Sequence, residues 1–287
     1  MPGLLPYTMY YENSRGDVLR LDEPPCIVTS CSLFDSSWKL TRAQRPLGEG
    51  GSLLARKRPG DERTMTVRLA AENSALLSAA MDRMSDIFDY DVVNYTSGRL
   101  WVNGSYLRCW CSGRARELSC DITNQAEMTV TVFPEQPAWC TETSYRIAPG
   151  STSADSGGHS YPYSYPYRYS STRSSVIVNN SRFSPSPMRI TLYGPAAEPR
   201  VYVSGMCIGV NTPLLSGERI VIDQQNKLIT KILTDGSTVN CFGDRIKNGQ
   251  TFEYASPGSN PAAIYSDTLG VDIVLIEQRS EPAWSCV

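Results

Sequence analysis

From residue 187 to residue 287, apolar and polar side chains change places at almost every second position, in segments too short to be helices. The block holds MRITLYGPAAEP (188–199), VYVSGMCIGV (201–210), SGERIVID (216–223), KLITKIL (227–233) and VDIVLIEQ (271–278). A period of two belongs to a strand with one buried and one wet face. Gly194-Pro195, Ser216-Gly217 and Asp235-Gly236 cut the block at the intervals of antiparallel hairpins. The reading is a β-sandwich over 187–287 without catalytic equipment, which points to assembly or binding.

The first 140 residues read as a second, mainly β domain. GDVLRL (16–21) and CIVTSCSLF (26–34) are strands. In LGEGGSLLARKRPGDERTMTVRL (47–69), the glycines at 48–51 and Pro59-Gly60 mark a long hairpin arm whose glycines make its tip flexible. Asn73 or Ser74 caps an amphipathic helix that places Leu76, Leu77, Ala80, Met81, Met84, Ile87 and Phe88 on one face. Asn103-Gly104 is a two-residue hairpin turn between RLWV and the strand from Tyr106 to Cys111. Glu127 to Phe133 forms a further strand, and Pro134 and Pro137 close the domain.

Residues 141–186 read as a Ser/Tyr/Pro-rich linker or extended loop. Within 151–175 there are nine serines and five tyrosines. Tyr161, Tyr163, Tyr165, Tyr167 and Tyr169 alternate strictly, so an extended chain puts all five rings on one side. Two readings stand side by side: a soluble spacer, or a Tyr/Ser contact surface for a glycan or partner of the kind adaptive binding loops use. Both domains also finish alike, with Pro137-Ala-Trp139-Cys140 and Pro282-Ala-Trp284-Ser-Cys286. The match is either a remnant of duplication or two tryptophan plugs closing two sandwich ends.

Composition narrows the function. A net charge of −2 lacks the basic excess of nucleic-acid binders, and the cluster Arg56, Lys57, Arg58 and Arg63 reads as a hairpin tip or subunit contact. No apolar run reaches the ~18–20 residues of a membrane span. The amino terminus lacks the pattern of a signal peptide, so synthesis in the cytoplasm is expected. Nine cysteines then read as free thiols. Cys109 and Cys111 with Cys120 and Cys140 offer four thiolates, yet a C-x-C on a strand lacks the knuckle spacing of zinc sites. His159, the single histidine, lies in the linker without a partner that would orient it as a base. Glu218 with Asp223, or Asp235 with Asp244, have no spacing that sets two carboxylates to work on one bond. No enzyme, cofactor or metal is expected.

In the order GDVLRL, the glycine-rich arm before ERTMTV, the amphipathic helix, GRLWVNGSY (98–106), ITLYGP (190–195) with Pro199, SGERIVID, and Asp235-Gly236 before Asn240-Cys-Phe242, the chain resembles the siphophage distal tail proteins (Dit). The resemblance implies a baseplate-hub protein at the distal end of a phage tail. It implies a homo-hexameric ring built by the amino-terminal domain and a galectin-like carboxyl-terminal domain facing outward. The implied partners are the tail tube protein and the tail-associated hub protein, with receptor-binding proteins or host cell-wall glycan beyond them. It supplies no catalytic residues, and the tandem tyrosines are no general feature of the family. The competing expectation is a carbohydrate-binding adhesion module of the tail tip.

Overall fold

A computed structural model describes residues 7–44, 50–117, 124–149, 174–247 and 250–284. The chain separates into two units, Met1–Thr141 with Arg279–Val287, and Glu142–Gln278. In chain order the strands and helix are β1 (Met9–Glu12), β2 (Val18–Arg20), β3 (Asp22–Glu23), β4 (Cys26–Cys31), β5 (Lys39–Gln44), β6 (Gly51–Lys57), β7 (Arg63–Ala70), α1 (Ser74–Val93), β8 (Gly98–Val102), β9 (Ser105–Glu117), β10 (Gln125–Pro134) and β11 (Trp139–Ile147). They continue as β12 (Ser174–Asn180), β13 (Met188–Tyr193), β14 (Arg200–Val203), β15 (Met206–Gly209), β16 (Arg219–Asp223), β17 (Leu228–Ile232), β18 (Thr238–Asn240), β19 (Gly258–Ile264) and β20 (Gly270–Arg279). The protein is therefore mainly β, as the alternation predicts.

In the first unit the long strand β9 serves two sets of neighbours. Its start pairs with β8, from Val102↔Ser105 to Gly98↔Cys109, and its remainder pairs with β10. Beyond β10 lie β7, β4 and β3, while β8 leads to β1 and β2. Alternate residues of these strands face one core: Met65, Val67 and Leu69 from β7, Met128, Val130 and Val132 from β10. The predicted turn is present, with Asn103 at φ 47 and Gly104 at φ 75. Both central residues of this two-residue loop take the left-handed region, where Asn and Gly are the least strained choices.

Helix α1 starts where the sequence places it. Asn73 is the cap, its side chain accepting the Leu76 backbone N–H at 2.9 Å. Leu77, Met84, Ile87 and Phe88 are buried as predicted, but Leu76 is 51% exposed. At 100° per residue, the face centred on Leu77, Met84, Phe88 and Asp91 leaves Leu76 at the rim. A carboxylate, Asp91, completes that face in place of an apolar residue.

The second unit is a two-sheet sandwich. One sheet runs β18-β17-β16-β13-β20-β11 and the other β12-β19-β14-β15. Ile190 and Leu192 of β13, Ile220 and Ile222 of β16, and Ile273 of β20 share a core with Val201 and Val203 of β14 and Ile264 of β19. Along β13, β14 and β16 these residues are two positions apart, so one face of each sheet is dry.

Two expected boundaries shift. The segment 141–186 is not all linker: β11 runs on to Ile147, and β12 pairs along its length with β19, from Ser174↔Ile264 to Asn180↔Gly258. The run SSVIVNN has the β-branched residues to enter a ladder. The last residues leave the second unit, since Arg279–Val287 groups with the first. There Trp284 packs edge-on against Phe34 at 4.9 Å, and Trp139 lies 6.0 Å from the same ring. The two Pro-Ala-Trp endings thus do not plug two sandwiches. Both tryptophans flank one phenylalanine of the first unit, with Trp139 buried and Trp284 half-exposed.

Candidate interaction site

The carboxylates singled out in the sequence are occupied by local structure. Glu218 accepts from the Leu215 backbone N–H at 2.7 Å and pairs with Lys231 at 2.8 Å. The Lys231 ammonium, with that N–H, holds Glu218 below the usual glutamate range. Asp223 accepts the N–H groups of Gln225 and Asn226, Asp235 those of Ser237, and Asp244 the Thr212 hydroxyl. None is aimed at a second carboxylate across a cleft, as paired acid–base work requires. Among the described residues no group of three or more His, Cys, Asp and Glu side chains converges on one point.

Cys109 and Cys111 do point to one side, and that side is the core. Both are buried free thiols. Burial pushes Cys111 up to about 11 and raises Cys109 further, so at neutral pH each is an inert apolar filler. Cys120 and Cys286, His159, Gly48 and the five tyrosines Tyr161, Tyr163, Tyr165, Tyr167 and Tyr169 lie outside the described residues.

A buried polar network that the sequence did not announce sits at the carboxyl end of α1. Asp91 is fully buried, and its Oδ2 accepts the Tyr11 hydroxyl at 2.6 Å. Its Oδ1 accepts the Ser14 N–H at 2.8 Å and the Thr96 hydroxyl at 3.4 Å. Burial, with the Cys109 thiol and Asp91 beside it, raises the Tyr11 phenol far above its ordinary value, so it stays a donor. Gly98 is required where the three elements meet: a Cβ there would lie 2.4 Å from Asp91 Oδ2. The network bolts the helix end to β1 and β8. Beside it opens a polar cleft of about 580 Å³ bounded by Glu12, Arg15, Tyr95, Arg99 and Trp110. Its charges are largely spent internally, with Arg108 on Glu135 at 3.2 Å and the Trp101 indole N–H on Glu12 at 2.8 Å.

Among the described residues, nothing covers the arm. β5 and β6 form a separate two-stranded sheet, and every residue of β6 is exposed. Registers Leu40↔Arg56 and Arg42↔Leu53, with a bulge between Thr41 and Arg42, set Leu40, Arg42, Leu53 and Arg56 on one face. Trp38 joins them, lying under the guanidinium of Arg58 at 4.6 Å and of Arg56 at 5.7 Å. Trp38, Leu40, Leu53 and Leu54 are 42, 43, 56 and 66% exposed. Of the basic cluster read from sequence, Arg56, Lys57 and Arg58 belong to the arm or its root. Arg63 does not, because its guanidinium turns inward to donate to the Leu33 carbonyl at 2.5 Å and burial lowers its pKa. The signal that the sequence reading passed over is Trp38-x-Leu40-x-Arg42, an alternation that adds an aromatic and a second cation to the same face.

No protein-family model matches the sequence, and no curated protein matches it. Solved structures do. The SPP1 Dit protein, described as a paradigm of the hub adsorption apparatus in phages infecting Gram-positive bacteria, superposes with a TM-score of 0.57 at 10% identity over 95% of this chain and 99% of its own. A chain of the phage P2 baseplate in its activated conformation with calcium gives 0.66 at 11% identity over 96% of this chain and 99% of its own, and its counterpart with strontium 0.65. At such identity the likeness is one of fold, and it spans both units.

Proposed function

We propose that the chain is a structural protein of a phage tail tip, a ring of six copies that joins the tail tube to the hub and the adhesion apparatus. The observation that carries this reading is the likeness along nearly the whole chain to a protein of one phage's hub adsorption apparatus and to a chain of another phage's baseplate. A shared single domain would carry little, because folds are reused for unrelated work. Two different units matched in one continuous order are a more demanding coincidence. The arm adds support, since an exposed two-stranded sheet with an apolar face has unpaired edges and uncovered leucines that a neighbouring subunit would satisfy.

In this reading the protein performs no chemistry. Its carboxylates cap turns and its described thiols are mostly buried, and its work is to present surfaces in a fixed array. Native mass spectrometry and negative-stain imaging of the purified full chain test it directly. Six-fold rings are expected as concentration rises. A monodisperse monomer at every concentration, together with absence of the chain from purified tails, would overturn the proposal.

A further inference from the structure

We infer that the Trp–Leu–Arg face of the β5–β6 arm seats on the outer, acidic stripe of helix α1 in an adjacent copy of the chain. The inference rests on the ring reading and adds to it which two surfaces meet.

The arm holds one sign of charge. Lys39, Arg42, Arg56, Lys57 and Arg58 lie on its strands or at its root, and residues 38–44 and 51–58 contain no acidic residue. The helix holds the other sign on the side turned away from the core. Ala75, Ala79, Asp82, Asp86, Asp89 and Val93 follow one another at three- and four-residue steps opposite Leu77, Met84 and Phe88. Asp89 is held by Arg114 at 2.5 Å. Asp82 and Asp86 have no cation within salt-bridge distance among the described residues, although a like-charge pair at i, i+4 destabilises a helix. Alanines beside these aspartates leave low ground where leucine side chains can settle.

The spacing agrees as well. Four residues of helix separate Asp82 from Asp86 by about 6 Å of rise. Arg42 and Arg56 lie diagonally across the two strands with the bulge between their registers, which sets them at least about 7–8 Å apart. Two flexible guanidinium groups can therefore reach two carboxylates in one approach. An open cleft of about 560 Å³ runs along this side of the helix, bounded by Asp17, Ala79, Asp82 and Asp86 together with Arg15 and Arg83. Those two arginines are already engaged, Arg15 with Asp17 and the Tyr90 ring, Arg83 with the Val18 carbonyl. The Val18 carbonyl does not neutralise Arg83, so three carboxylates against two guanidinium groups leave the cleft one net negative charge.

Because the arm and the stripe are different patches, the contact is heterologous. A head-to-tail contact passes from copy to copy and closes into a ring when the rotation allows, whereas a self-complementary patch stops at a dimer. An arm that reaches a neighbour's helix is also covered without any element of its own chain.

Charge exchange tests the pairing in the full-length protein. Arg42→Glu with Arg56→Glu, and separately Asp82→Lys with Asp86→Lys, are expected to weaken self-association at least about tenfold by sedimentation velocity. All four substitutions in one chain are expected to restore it, which a chain that merely misfolds would not do. Association that ignores both reversals, or that the four-fold variant fails to recover, overturns the arm-to-helix contact while the ring stands. A native chain that never associates overturns both.

Discussion

Two hairpins of the first unit are built on the same antiparallel pairing and end in opposite surroundings. β8–β9 turns at Asn103-Gly104 and sends Leu100, Val102 and Leu107 into the core with no exposure at all. β5–β6 is paired along its length apart from the bulge at Thr41/Arg42, yet Leu40, Leu53 and Leu54 stand in solvent. The pleat decides which residues share a face, and it decides nothing about whether something covers that face. In the first hairpin the cover is supplied by the same chain, through helix α1 and neighbouring strands. In the second no described residue of the chain supplies it, and the arm's Trp and Arg are residue types enriched at the centre of protein interfaces.

If this contrast is real, the largest loss of stability comes from the covered hairpin. Leu100 and Leu107 face each other across β8 and β9 and are both fully buried. Leu107→Ala is expected to cost about 2–5 kcal/mol in urea unfolding, as truncation of a buried leucine in a rigid core does. A loss under about 1 kcal/mol would mean that the covered hairpin is no more anchored than the arm.

Next in size is the bolt beneath that hairpin. Tyr11→Phe removes the donor that Asp91 Oδ2 accepts at 2.6 Å and leaves a buried carboxylate one partner short. The expected cost is about 2 kcal/mol, since hydrogen bonds to charged groups are worth roughly 1.5–3. Denaturant midpoints measure it, and hydrogen exchange should show the last turn of α1 opening first. The turn itself follows. Gly104 has φ 75 and open space around a would-be Cβ, so Gly104→Ala tests backbone conformation without a clash. A loss of about 1 kcal/mol is expected, within the roughly 1–2 that a left-handed residue with a Cβ costs.

These sites divide by how local their causes are. The Asn103-Gly104 turn, the Asn73 cap and the alternation of β13, β16 and β20 depend on neighbours within a few residues, and all were legible in the sequence. Asp91 was not. Helical periodicity marks its position as buried, but the two shortest bonds that make a carboxylate tolerable there come from Tyr11 and Ser14, 80 and 77 residues earlier in the chain. Trp284 misled for the same reason: its resemblance to Trp139 suggested a second plug, while its ring packs on Phe34 across the length of the chain. The candidate site was half legible. The arm and its basic residues were visible, but Arg63 could be separated from them only by seeing its guanidinium reach Leu33. The acidic stripe of α1 was hidden by attention to the opposite, apolar face.

The smallest expected effect is the most discriminating. Leu53→Ser on the arm exchanges an apolar side chain already 56% exposed for a small polar one. In a dilute, dissociated chain nothing has been uncovered, so stability should change by no more than about 0.5 kcal/mol. In an associated chain the same substitution removes apolar area that the neighbour would have covered, at about 25 cal/mol for each Å² lost from the contact. Unfolding midpoints measured at low and at high protein concentration separate the two cases. Native protein should gain stability with concentration, because association favours the folded state by mass action. Leu53→Ser should match it at the low end and lose part of that gain at the high end. Equal curves for the two proteins would show that the arm's leucines are covered by nothing, and the contrast between the hairpins would then be one of tolerance and not of purpose.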